Sequence, residues 1–251
     1  MFNIDILDLL IIFTVGVVSS SFGTLTGGGA LITIPTLIFL GLPPHTAIGT
    51  SKLGAMGVQI PGWYVFNKKG LINHKIAFCL CVPALPGAIL GANLVLNINE
   101  TLLKQVIAVI TILILAFVVF QPKIGVEKVK HTIKKREYLI GIILSFFIFV
   151  YTGFYGAGSG TFLAYALILL FGQTFIESAA TRKIPSLIAI VMAFIIFAVG
   201  GAISYAHGIA LFTGSLIGSY IGAHFSDKIG DVWIKKFFAV TVLIMAIKLL
   251  L

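Results

Sequence analysis

The amino-acid sequence predicts an all-α polytopic membrane protein made of two inverted-topology repeats with glycine-broken or re-entrant helices. Three observations lead there. Hydrophobic residues make up 59% of the 251 and charged residues only 10%, too little polar surface to solvate a soluble globule, so the bilayer is the expected solvent. Apolar stretches approaching the ~20 residues that carry a helix across ~30 Å of hydrocarbon follow one another along the chain. The chain also repeats itself 131 residues on: Gly27, Gly29, Gly41, Thr50 and Lys52 recur as Gly158, Gly160, Gly172, Thr181 and Lys183, and Leu85, Gly87, Gly91 and Ala92 as Leu216, Gly218, Gly222 and Ala223. Two related halves, each with a broken apolar segment, form the pattern of a secondary transporter.

The first apolar stretch, residues 4–20, carries Asp5 and Asp8 rather than a basic leader, and no A-x-A site follows. It reads as a retained segment and not a cleaved signal. Gly27, Gly28 and Gly29 then interrupt the apolar pattern, and the stretch 30–42 that follows is too short to span, so it reads as a half-helix or re-entrant arm. Stretches 46–66, 76–98 and 101–120 complete a first repeat over 1–120. Residues 121–137 connect the halves and hold six of the seventeen basic residues. The second repeat, 138–251, comprises 138–152, a break over Gly156 to Gly160, a short arm 160–172, and stretches 175–203, 209–226 and 232–251, all within a single membrane domain, 1–251. Barrel strands of ~10 alternating residues would not give such continuous apolar runs.

A net charge of +9 would suggest nucleic acid in a soluble protein, but here the basic residues concentrate in the segments 67–75, 121–137 and 227–236. The positive-inside rule makes these cytoplasmic. Counting back through the segments puts both termini outside the cytoplasm, with an odd number of segments in each half, so the second half enters the membrane from the opposite side. Cys79 and Cys81 are too closely spaced for a disulfide framework or a zinc pattern, and read as small core residues. No cofactor is expected.

The residues able to carry chemistry cluster at the breaks. Glycine lets backbone N–H groups converge on a ligand, and a half-helix that starts at such a break begins with free donors and a positive dipole end. Two such starts meeting would make an anion site from Gly27, Gly28 and Gly29 with Gly158, Ser159 and Gly160; the alternative is that these glycines only allow close packing. Thr50, Ser51 and Lys52, with Thr181, Arg182 and Lys183, lie just inside apolar stretches, where a cation needs a carboxylate, water or an anionic ligand unless it snorkels to the interface. Glu177 is the nearest carboxylate in sequence. The hydroxyls of Thr50, Ser51 and Thr181 would add donors for a multi-oxygen anion. Gly87 with Gly91, and Gly218 with Gly222, read as packing positions. Asp5, Asp8, Glu100, Glu127, Glu137, Asp227 and Asp231 fall at segment ends, so no buried carboxylate offers a proton or sodium relay; His45, His207 and His224 remain as groups that titrate near neutrality. An intramembrane serine protease built on Ser159 with His207 or His224 is disfavoured, because Ser159 aligns with Gly28 and so marks a position that needs smallness.

The stretches GTLTGGGALITIPTLIFLG and TAIGTSK, their echo YGAGSGTFLAYALILLFG, and the later PGAILGA and GSYIGA resemble the TauE/SafE sulfite-exporter family across nearly the whole chain. The resemblance implies a multi-pass protein of the cytoplasmic membrane that moves small sulfur-containing or carboxylate anions such as sulfite, sulfoacetate, thiosulfate or related sulfonates. The second copy departs in having Tyr165 opposite the Ile34–Pro35 position and Arg182 opposite Ser51, which makes a shared site asymmetric. The expected partners are a small anionic substrate and membrane lipid, with no nucleic acid; a homo-oligomer, and a channel in place of a carrier, stay open.

Overall fold

A computed structural model describes residues 5–119 and 135–226, and all of their regular structure is helical. The expected connecting segment 121–137 (up to residue 134), the basic segment 227–236 and the final stretch 232–251 lie outside the described residues. The first half gives α1 (Ile6–Thr26), α2 (Ala30–Phe39), α3 (Pro44–Lys68), α4 (His74–Leu96) and α5 (Glu100–Val119). The second gives α6 (Lys135–Phe154), α7 (Ser159–Phe171), α8 (Phe175–Thr181), α9 (Lys183–Val199) and α10 (Tyr205–His224).

Local sequence sets the ends. Asp5 accepts the Leu7 N–H ahead of α1, Asn73 accepts that of Ile76 ahead of α4, and Thr174 with Glu177 closes a reciprocal capping box on α8. Glu177 is thereby committed to a helix start. The stretch 175–203, expected as one segment, is divided at Arg182: Pro185 has no N–H for the carbonyl of Thr181 four residues back, so the helical ladder is interrupted there. α8 and α9 together cover the same span, 131 residues on, as the continuous α3.

α1, α4 and α6 are long and apolar enough to cross a membrane; α7 and α8 would form a fourth crossing if taken together, but they are bent by 114°. At 10 and 13 residues, α2 and α7 extend ~15–20 Å, well short of the hydrocarbon thickness. Large apolar side chains such as Phe78, Phe147, Leu169 and Val199 point outward, as lipid-facing positions require.

Helix packing exchanges between the halves. Gly214, Gly218 and Gly222 of α10 face the carbonyls of Phe13, Val17 and Ser21 in α1, so these helices run side by side in one direction. Gly87 and Gly91 of α4 face the carbonyls of Phe146 and Val150 in α6 in the same way. Both glycine pairs therefore act as the packing positions expected, letting backbones approach as small residues do in membranes. Leu53 meets Gly208, and Val58 accepts a bond from Ser219 at 2.6 Å, so α3 also runs with α10. α3 and α4 form a hairpin, since Asn67 and His74 are bonded at 3.0 Å at one end while His45 meets the carbonyls of Val95 and Ile98 at the other. It follows that α1 and its counterpart α6 run in opposite senses.

Candidate functional site

Both helix breaks depend on glycine in the left-handed region. Gly27 ends α1 at φ 81°, and Gly158, its counterpart, starts α7 at φ 76°; an L side chain there costs ~1–2 kcal/mol. The two breaks meet. A Cβ on Gly27 would come within 2.6 Å of the Gly160 Cα, and Thr161 donates its hydroxyl to the Thr26 carbonyl at 2.6 Å. Gly29 and Gly160 thus sit in facing first turns, where backbone N–H groups lack a partner within their own helix.

Each break is held by a cation from the other half. Lys52 donates from Nζ to the carbonyls of Thr152 at 2.7 Å and Tyr155 at 3.1 Å, at the end of α6. Arg182 donates from Nη2 to those of Thr24 at 3.1 Å and Leu25 at 2.8 Å, at the end of α1. A cation suits a helix C-terminus, where free carbonyls and the dipole's negative end converge. Lys183 donates instead to the Thr24 hydroxyl at 2.8 Å. Since Ser219 spends its proton on the Val58 carbonyl, Thr24 donates to Ser219. Lys52, Arg182 and Lys183 are 3%, 2% and 0% exposed. His45 and Glu100 pair at 3.7 Å, and among the described residues no carboxylate pairs with any of the three buried cations.

Between the breaks lies a cavity of about 80 Å³, lined by Gly27, Gly29, Ser51, Lys52, Ser159, Gly160 and Arg182 among others. A water needs ~10–15 Å³ of such space, so a compact anion of a few heavy atoms fits. Seven of the twelve residues expected from the sequence therefore come together here. Gly28, Thr50, Gly158, Thr181 and Lys183 do not line the cavity. Thr50 accepts the Ser204 N–H at 2.9 Å, and Thr181 accepts that of Asn73 at 3.1 Å together with the Gln173 amide at 3.1 Å. Ser159 donates to the Gly156 carbonyl at 2.8 Å. Among the described residues no histidine lines the cavity; His207 pairs with Ser204 at 2.8 Å.

Sequence reasoning passed over Ser19, Ser20, Gln59, Ser186 and Ser215, which also line the cavity. A signal existed in the run Ser19 to Ser21 inside an apolar segment and in the lone amide of the stretch 46–66, since polar groups at membrane depth are costly unless used.

The chain matches the sequence profile of sulfite exporter TauE/SafE over residues 11–249. A probable membrane transporter protein of Haemophilus influenzae is 31% identical over 97% of this chain and 95% of its own length. The probable membrane transporter proteins YfcA of Escherichia coli K12 and YdhB of Bacillus subtilis are 25% and 27% identical, covering 100% and 97% of this chain and 92% and 99% of their own. No solved structure matches.

Proposed function

Because this chain belongs to the sulfite exporter TauE/SafE family, we propose that it carries a small oxoanion or organosulfur anion, such as sulfite, sulfoacetate or a related sulfonate or carboxylate, outward across the cytoplasmic membrane by alternating access. Membership makes it a multi-pass membrane transporter; the anion, the direction and the mechanism are our reading. One observation carries that reading: Lys52 and Arg182 reach a common cavity from opposite halves with no carboxylate beside them among the described residues. A guanidinium keeps its charge in a protein, and an unpaired buried cation costs several kcal/mol. An anion in the cavity supplies the missing charge, held by Lys52, Arg182 and the first-turn N–H groups of Gly29 and Gly160.

In this reading the two repeats, 1–120 and 138–251, are inverted about an axis in the membrane plane and rock against each other around the cavity. The opposed senses of α1 and α6 support it. Lys69, bonded to the carbonyls of Ala223 and His224 and to Ser226, sets the 67–75 segment beside the end of α10, as a shared cytoplasmic side requires. In a background without Cys79 and Cys81, a cysteine at position 130 resists a membrane-impermeant maleimide in intact cells and one at position 3 reacts. The reverse pattern overturns the orientation and the export direction with it.

Transport moves net charge, because among the described residues no carboxylate lines the cavity to take a compensating proton. One charge gains ~2.3 kcal/mol per 100 mV. In proteoliposomes an imposed potassium-diffusion potential drives anion flux without a pH or sodium gradient. Flux that ignores voltage and follows a proton gradient overturns this and directs attention to His45, His207 and His224.

A further inference from the structure

The geometry points to a second anion station, resting on the anion-transport reading above: Lys183, with the hydroxyls of Thr24 and Ser219, takes a compact anion in passage between the cavity and the end of the molecule that carries the 67–75 segment. Two hydroxyl pairs lead from the cavity in that direction. Ser20 and Ser215, which line it, are bonded at 2.9 Å. One helical turn further along both helices, Thr24 and Ser219 are bonded at 3.0 Å. Lys183 joins this second pair from α9 at 2.8 Å, and Ser219 donates onward to the Val58 carbonyl of α3. Gly62 of α3 leaves the room that the lysine fills, since a Cβ there would stand 2.7 Å from its Cε and 2.9 Å from its Nζ. The next turn of α10 brings Ala223 and His224, whose carbonyls hold Lys69 at the end of the bundle.

Packing alone does not ask for this polarity. In α4 the positions 131 residues before Gly218 and Gly222 are Gly87 and Gly91, and those before Ser215 and Ser219 are Ala84 and Ala88. Both alanines are fully buried and share an apolar cluster with Ile148 and Phe149 of α6. The same close helix contact is therefore made in the other half with methyl groups. On the far side of the cavity α1, α3 and α10 are apolar as well, with Ile12, Ile48 and Leu211 buried in one cluster. Hydroxyls thus mark one route out of the cavity, and it leads to a lysine that is 0% exposed and that no carboxylate pairs with among the described residues. Ionisable groups at membrane depth are costly and mark ion pathways. Parting of α1 from α10 breaks the Thr24–Ser219 bond, turns two hydroxyls to the ligand and leaves the ammonium, with its three donors, to carry the anion's charge. Lys183 lies off the cavity, so its loss acts on passage and not on equilibrium binding there.

Thiol labelling tests the station without knowing the natural substrate. In a full chain lacking Cys79 and Cys81, Ser219→Cys reports on the hydroxyl route and Ala88→Cys on its apolar twin. Membrane vesicles of both orientations are treated with a methanethiosulfonate that bears a sulfonate and with its trimethylammonium analogue, each rate being divided by that with a free thiol in solution. Ser219→Cys reacts at least about tenfold faster with the anionic reagent than with the cationic one, as a buried positive site concentrates anions. It does so from the side on which the exposed Lys68→Cys reacts, and Ala88→Cys stays unreactive. Adding Lys183→Met brings the two rates to within about twofold. Should Ser219→Cys fail to fold, Thr24→Cys makes the same test. A Ser219→Cys no more reactive than Ala88→Cys overturns the station, as does reaction from the opposite side or an anionic preference that survives Lys183→Met. If such a chain still gains thermal stability from sulfite, the cavity site stands and the station alone is lost. Charge-selective labelling in a chain that no small anion stabilises keeps the station and removes the cavity site.

Discussion

Replacing Arg182 or Lys52 with methionine weakens small-anion binding ~10- to 100-fold, the loss of one charge-assisted hydrogen bond, while the folded protein persists. Two structural effects oppose each other in these variants. Arg182→Met leaves the carbonyls of Thr24 and Leu25 without their donor, costing ~1–3 kcal/mol. It also removes a buried, unpaired charge, whose desolvation is worth a comparable amount in the other direction. Stability is thus nearly unchanged, and binding is not. Lys183→Met is the control, because Lys183 is equally buried and lies off the cavity; its anion affinity stays within about twofold of the unaltered chain. The readout is the anion-induced rise in thermal stability of purified protein, which follows affinity for the native state. If Lys52→Met and Arg182→Met both bind as the unaltered chain does, the two cations serve only to cap helices and the proposed site is gone.

Gly27→Ala destabilises the protein by about 2–5 kcal/mol and abolishes transport. The estimate combines left-handed strain with overpacking of a tight contact. At φ 81° a side chain is strained wherever it points, and here the added methyl meets the backbone of Gly160 and Thr161 at 2.5–2.7 Å. Backbone cannot rotate away, so the two breaks must separate and the cavity between them opens. Gly41 isolates the strain: its φ is 89° and nothing lies within 4 Å of where its Cβ would be. Gly41→Ala therefore costs ~1–2 kcal/mol and leaves transport intact. Denaturation midpoints in one detergent compare the two, and equal losses would show that the meeting of the breaks contributes nothing.

What the sequence made legible follows from what a duplication preserves. The recurrence of Gly27 as Gly158 located both breaks, and the four-residue spacing of Gly87 and Gly91, echoed by Gly218 and Gly222, located two close helix contacts, because these are backbone requirements and only glycine meets them. The roles of Thr50 and Thr181 were not legible. Their positions match, but a hydroxyl bonds whatever the tertiary structure brings, and here that is a backbone N–H in the other half. Ser19 and Gln59 are illegible for another reason: an isolated polar residue in an apolar run has no period to register. The break at Arg182 was available in principle from Pro185, and was obscured by the uniform apolarity of 175–203.

The pair of threonine bonds has a consequence for how such a chain can be assembled. Thr50 receives the N–H of Ser204, the residue that opens α10, and Thr181 receives that of Asn73, the residue that opens α4; each is the other moved by 131 positions. Lys52 and Arg182 do not stand at matched positions, yet each likewise grips the broken helix of the opposite half. Donor and acceptor of every such bond are thus split between the two units. A half-length chain would hold one member of each pair and leave it without its partner, so these bonds form only when both halves are present.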